Sequence, residues 1–370
     1  MTVYMPDTDY KAICDATREK CGTTGLLKSY EIKPLLAALE TGGAKFTLTV
    51  NVDSGSTVVA TKGGLSVSGT ATNGVCVLEL PEAGEWMVTA SLDGQSASGV
   101  VNVVGEYAAE AVFLPPIGTP LNDMSWADIS KVAKAGLASQ YFSVGDRKQV
   151  VLNGTVGGLT LSNYTTYCYI IGINHNAELE GYNLIHFQLA KTALSGGTDI
   201  ALCDSKYGAT EGSDAGFRMN TSATNEGGWN ASYMRKTICP AFKNALPIEL
   251  KNVIASVVKH TNNTGNSQTA DAVTATIDEI FLLAEYEASG VIRAGNNNEA
   301  SKQMQYDYYS AGNEKVKYKH TSITTGVAWR LRSPGAAYNG FLYMGNDGSV
   351  YSESAAYSLG FAPAFCVGGA

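Results

Sequence analysis

Between residues 44 and 113 several runs alternate apolar and polar side chains with a period of two. They are Phe46-Thr-Leu-Thr-Val-Asn-Val, Ser66-Val-Ser-Gly-Thr, Gly74-Val-Cys-Val-Leu-Glu-Leu and Trp86-Met-Val-Thr-Ala-Ser-Leu. Successive side chains of a strand point to opposite faces, so this pattern describes strands with one buried face. Asp53-Ser-Gly55, Lys62-Gly-Gly64, Thr72-Asn-Gly74 and Asp93-Gly94 supply turns between them. Short strands at this spacing predict a small β-sandwich over 44–113, with Trp86 in its core.

The flanking regions differ in texture. In 1–43, Asp7 or Thr8 can cap a helix over Tyr10–Lys20 that stops at Gly22, and a second short helix near Lys33–Leu39 ends at Gly42-Gly43. Two such helices cannot form a core alone and predict a docking segment. Leu114-Pro-Pro-Ile-Gly-Thr-Pro120 reads as a stiff linker. From 121 to 370, Ser125-Trp-Ala-Asp-Ile opens a capped amphipathic helix. Strands are expected at Arg147–Leu152, Tyr167–Ile173 and Leu184–Leu189, and helical pieces at Met234–Cys239 and Ala241–Leu246. Asp278-Glu279 heads an apolar run and is expected to cap a helix. The chain thus reads as an α+β multidomain protein: helical docking segment, β-sandwich spacer and an α+β head with long loops.

Composition narrows the function. A net charge of −8 and no basic run argue against nucleic-acid binding. No apolar stretch is long enough for a membrane-spanning helix, so no membrane insertion is expected. The start, Met1-Thr-Val-Tyr-Met-Pro, lacks the basic and apolar regions of a signal peptide, which predicts synthesis in the cytoplasm. The seven cysteines (14, 21, 76, 168, 203, 239 and 366) form no C-x-x-C pair and read as buried thiols.

Signals for catalysis are sparse. His175, His186, His260 and His320 have no metal-ligand spacing, although His175 and His186 could face one another across adjacent strands. There is no G-x-S-x-G elbow and no phosphate-binding glycine loop. No enzyme activity, cofactor or metal is expected. Calcium needs roughly six to eight oxygen ligands, and the C-terminal loop offers the carboxylates of Asp347 and Glu353.

Three resemblances add to this reading. The sandwich looks like the immunoglobulin-like modules that serve as spacers. The segment Tyr4-Met-Pro-Asp-Thr-Asp-Tyr-Lys-Ala-Ile-Cys-Asp-Ala-Thr-Arg-Glu-Lys-Cys-Gly, with Ile32-Lys-Pro-Leu-Leu, resembles the N-termini of tail proteins from phages of Firmicutes. Trp126-Ala-Asp-Ile-Ser, Gly228-Trp-Asn-Ala-Ser-Tyr-Met-Arg, Asp278-Glu-Ile-Phe-Leu-Leu, Leu331-Arg-Ser-Pro334 and Gly360-Phe-Ala-Pro-Ala-Phe365 resemble an uncharacterised domain family of gut phages and gut bacteria. Its hallmark is a W-W-L-R-S-P box, a variable loop and a closing G-V-R-P-A-F. The resemblance implies a C-type-lectin-like α+β head. Arg330 stands where the family often has Trp, and Ala362 where it often has Arg; both are expected at a surface-facing end. Arg332 of the box is expected to form a buried ion pair or cap a loop.

Domains of this type serve as display scaffolds for diversity-generating retroelements, which rewrite adenines in Asn codons. Between Gly335 and Leu359, Met344 and Glu353 are the residues outside the reachable set. The expected ligand-binding surface is Ala328, Arg330, Ala336, Ala337, Tyr338, Asn339, Phe341, Tyr343, Asn346, Ser349, Tyr351, Ser352, Ala355 and Tyr357. It is rich in Tyr, Ser, Asn and Gly, as antibody loops are. The function expected from all this is attachment of a virion to a bacterial surface glycan or protein, by a homotrimer joined to other tail proteins through its N-terminal segment. The alternatives are a minor structural tail protein and a bacterial surface adhesin.

Overall fold

The computed structural model describes residues 46–209, 216–336 and 339–369. The expected docking helices, with Cys14 and Cys21, lie outside them, as do Ala337 and Tyr338. The chain divides into two compact units after Phe113.

In the first unit, the four alternating runs form β1 (Phe46–Asn51), β3 (Leu65–Thr70), β4 (Val75–Leu80) and β5 (Gly84–Leu92), and three strands the alternation did not mark join them: β2 (Thr57–Lys62), β6 (Gln95–Val103) and β7 (Glu106–Glu110). They build two sheets, ordered β4-β1-β7 and β3-β2-β5-β6. Asn73-Gly74 and Asp93-Gly94 both take positive φ (53°/84° and 48°/82°), the geometry that matches a two-residue turn to the twist of its strands. Leu48, Val50, Val58, Ala60, Leu78 and Val88 surround a fully buried Trp86, whose indole N–H donates to the Glu82 carbonyl at 3.2 Å.

The second unit begins at Leu114. Its expected linker is tied down: Leu114 packs on the head's core, and the Tyr141 hydroxyl donates to the Pro115 carbonyl at 2.8 Å. Strands follow as β8 (Arg147–Val156), β9 (Leu159–Ile173), β10 (Leu184–Lys191), β11 (Ile200–Ala201), β12 (Ile254–Ala255), β13 (Val257–Asn262), β14 (Val273–Asp278), β15 (Ile280–Phe281), β16 (Lys317–Lys319), β17 (Ser322–Val327), β18 (Trp329–Pro334), β19 (Gly340–Met344), β20 (Val350–Ser354) and β21 (Ala364–Gly368). The main sheet runs β12-β21-β10-β9-β8, with β15 added on β21. Register shifts at His186/Phe187, Leu189/Lys191 and Leu152/Gly154 mark its bulges, and bulges bend a sheet. Every residue of β10 is buried, as in a strand covered on both faces. One cover is helix Trp126–Lys134, which Ser125 caps by accepting the Asp128 amide at 3.0 Å. Trp126 meets Phe187 and Phe365 edge-on at 5.5 and 6.2 Å.

The expected fold class needs correction. The structure is mostly β, 42% strand and 18% helix, in several small sheets that include a curled half-barrel, and it is not clearly the α+β lectin arrangement. The physical reason is visible at Asp278-Glu279. The run Val273–Ile277 before it, β-branched at all but Ala275, pairs with β13 and the apolar run after it feeds β15, so Asp278 ends a strand and caps no helix. The Asp278 carboxylate instead accepts from the Trp229 indole (3.0 Å), Arg235 Nε (2.5 Å) and the Thr276 hydroxyl (2.6 Å). Most helices of the head are single turns, and the aromatic, β-branched stretch from 317 to 354 forms strands as well.

Candidate binding face and its buried support

The box residues of β18 are all buried. Its two arginines, one strand repeat apart, do different work. Arg332 donates to the Thr261 hydroxyl (2.7 Å), the Leu282 carbonyl (2.7 Å) and both oxygens of Glu287, one of them at 2.7 Å. This is the buried ion pair expected of it. Burial alone would lower its pKa, yet the Glu287 carboxylate raises it above the usual arginine value.

Arg330 is also fully buried, so its expected place on the ligand surface is corrected: it lies beneath that surface. Its guanidinium donates to the main-chain carbonyls of Phe341 (3.2 Å), Glu353 (3.4 Å), Ser354 (2.6 Å) and Tyr357 (2.6 Å). Burial pushes it down to about 9, opposed by Glu353. Ala362, the other departure from the family pattern, is equally buried.

Behind Arg332 lies a polar cluster closed to solvent. Lys259 Nζ donates to Glu180 (2.6 Å), Glu287 (3.2 Å) and the Tyr306 hydroxyl (2.7 Å). Burial pushes Glu180 up to about 7 against the pull of Lys259. Burial also opposes the charge on Glu287, but Arg332 and Lys259 hold it well below the usual carboxylate range. His175 stacks on Tyr306 at 3.8 Å, and burial followed by Lys259 pushes it down to about 3. Ligand atoms of His175, Glu180 and Glu287 lie within 4.8 Å of one another. Lys259 and Arg332 already supply the positive charge that a metal would bring there.

His175 and His186 do meet, with ring centroids 5.6 Å apart. His186 Nδ1 also lies 3.3 Å from Cys366 Sγ. A working thiol–imidazole pair needs a thiolate that a substrate can reach. Here burial pushes the Cys366 thiol up and the His186 imidazole down, so both stay neutral, and neither is exposed.

Above this support, β18, β19 and β20 form a three-stranded sheet. The expected surface residues divide on it. Ala336, Asn339, Asn346, Tyr351 and Ser352 are exposed, while Ala328, Tyr343, Ser349 and Tyr357 are half-buried. Phe341 and Ala355 are fully buried and leave the expected set with Arg330, because their side chains fill the core under the hairpin. Tyr343 and Tyr351 are cross-strand partners with rings stacked 5.7 Å apart at 30°.

Sequence reasoning missed three supports of this face. Asn225 donates to the carbonyls of Gly335 (3.1 Å) and Gly340 (2.9 Å), closing the neck of the intervening loop. The buried Glu285 carboxylate accepts the amides of Arg293, Ala294 and Gly295 at 2.8–3.2 Å. The Ala294 carbonyl in turn takes the Ala336 amide at 3.0 Å. Asp347 anchors the hairpin tip. The one available signal was Asn346-Asp347-Gly348, which reads as a turn.

Residues 205–369 match the model of a family described as a domain of unknown function, DUF6273. That stretch contains the hairpin, both box arginines and Glu287, whereas Glu180 and β8–β10 precede it. No curated protein matches the chain.

Proposed function

We propose that this chain is a non-enzymatic attachment protein of a phage tail, which holds a bacterial surface ligand on the outer residues of β19, β20 and their flanking turns. The observation that carries this reading is the contrast across the hairpin. Its backbone is held from below by Arg330, and Tyr351, Asn339 and Asn346 are exposed on the hairpin and its flanking turns. A pre-ordered surface loses little entropy on binding, and tyrosine gives a large contact for few rotatable bonds. The resemblance of 4–22 to tail-protein N-termini supports placement in a virion. A trimer on a tail would multiply weak contacts through avidity.

The test is saturable binding of the fluorescently labelled full chain to a panel of gut bacteria. The variant Tyr351→Ala/Tyr357→Ala, with unchanged circular dichroism, is expected to lose it. Failure of the native chain to bind any strain, alone or chemically cross-linked as a trimer, would leave a purely structural tail role.

A further inference from the structure

Resting on that reading of the face, we infer that the ligand is an uncharged glycan and that Tyr351 is the ring against which a sugar lies. Tyr351 is fixed on three sides. The Tyr343 ring stacks beside it. The main chain at Gly345 runs along its edge, where a Cβ would stand 2.9 Å from Tyr351 Cε2. Its hydroxyl donates to Asp347 Oδ2 at 2.8 Å, and the other Asp347 oxygen accepts the Ser349 amide at 3.0 Å. The phenol proton is therefore committed within the protein. What remains outward is a flat, electron-rich ring face on a residue that is 45% exposed.

The C–H face of a pyranose complements such a ring, because polarised C–H bonds meet the negative side of the aromatic quadrupole. Around it stand the groups that sugar hydroxyls use. Asp347 is a fully ionised acceptor, held below the usual carboxylate range by the Ser349 amide and the Tyr351 hydroxyl, and exposed Asn346 precedes it in the turn.

Size and charge select among partners. From 328 to 369, Tyr351 is the one exposed large hydrophobic side chain among the described residues. A stable protein partner buries roughly 800 Å² per side around clustered anchors, whereas one ring suits one sugar. Asp347 and Glu353 make the rim acidic. The nearby cation Arg330 is buried with its donors turned to carbonyls. A phosphate- or carboxylate-bearing polymer would meet like charge.

The test has two arms. The full chain is titrated by NMR with chitotetraose, a neutral β-glucan oligosaccharide and a rhamnose oligosaccharide, against polyglycerol phosphate and sialyllactose. Binding of at least one neutral probe is expected. Tyr351→Ala should weaken it about tenfold, and Tyr351→Phe, which keeps the ring but frees its anchor, about threefold. Preference for the anionic probes, or indifference to Tyr351→Ala, would overturn the inference. In the second arm, cells bound by the chain are treated with periodate or with protease. Loss with periodate supports a glycan; loss with protease alone would keep attachment and remove the glycan. If no cell and no neutral probe binds, both readings fall.

Discussion

Between residues 46 and 113 the buried side chains are apolar apart from Ser56, whereas the head encloses Glu180, Lys259, Glu285, Glu287, Glu299, Arg330 and Arg332. The sandwich is held by area removed from water, a non-directional force that tolerates exchange of one apolar residue for another. The head adds directional contacts whose members each require all the others. A buried charge that loses its partner keeps its desolvation cost. The sandwich should therefore respond to substitution gradually and the head abruptly.

The largest effect is expected from Arg332→Ala. It removes both Arg332 bonds to Glu287 and leaves Lys259 alone to balance Glu180 and Glu287, and should cost the head roughly 3–5 kcal/mol while the sandwich melts as before. Calorimetry that shows both units destabilised together, or neither, would break the contrast. Leu48→Ala, in the apolar core of the sandwich, should cost about 3 kcal/mol and leave the head's transition in place, as read by denaturant unfolding.

The smallest expected effect is one of pH. Burial pushes Glu299 up to about 7 despite bonds from the Ser333 hydroxyl and the Asn262 amide. Between the ordinary glutamate value and about 7 the folded state keeps this proton and the unfolded state has released it. The group therefore takes stability away as pH rises through that window. Glu299→Gln removes the titration, so its melting temperature should fall less between pH 5 and pH 7 than that of the native chain. An unchanged slope would place the titrating group elsewhere.

The same contrast explains what could be read in advance. In the sandwich, β1, β3, β4 and β5 show themselves as alternation, and the turns at Asn73-Gly74 and Asp93-Gly94 announce themselves by composition; β2, whose Val58 and Ala60 are buried, hides its period behind the neighbouring Val59. In the head, β8, β9 and β10 were legible as β-rich runs and helix Trp126–Lys134 from its cap. The strands from 317 to 354 were not, because β18 is buried throughout and shows no period. Arg332 of the box was expected to form a buried ion pair or cap a loop, but its partner Glu287, 45 residues away, carries no local mark. Arg330 was misplaced on the surface because the resemblance put it at a surface-facing end beside the variable loop. Only the fold reveals that four carbonyls converge on it. Asn225 and Glu285 serve main-chain groups in the same way and are equally silent in sequence.

The grip of Arg330 has a consequence for change over generations. It holds the oxygens of peptide units at Phe341, Glu353, Ser354 and Tyr357, and a peptide oxygen is the same whatever side chain its residue bears. The hairpin's registration is thereby uncoupled from the identity of its outward residues. Replacing Tyr351 or Asn346 rewrites what the face can touch while the strand beneath keeps its hold, so a lineage can explore new ligands by single substitutions without having to refold its scaffold.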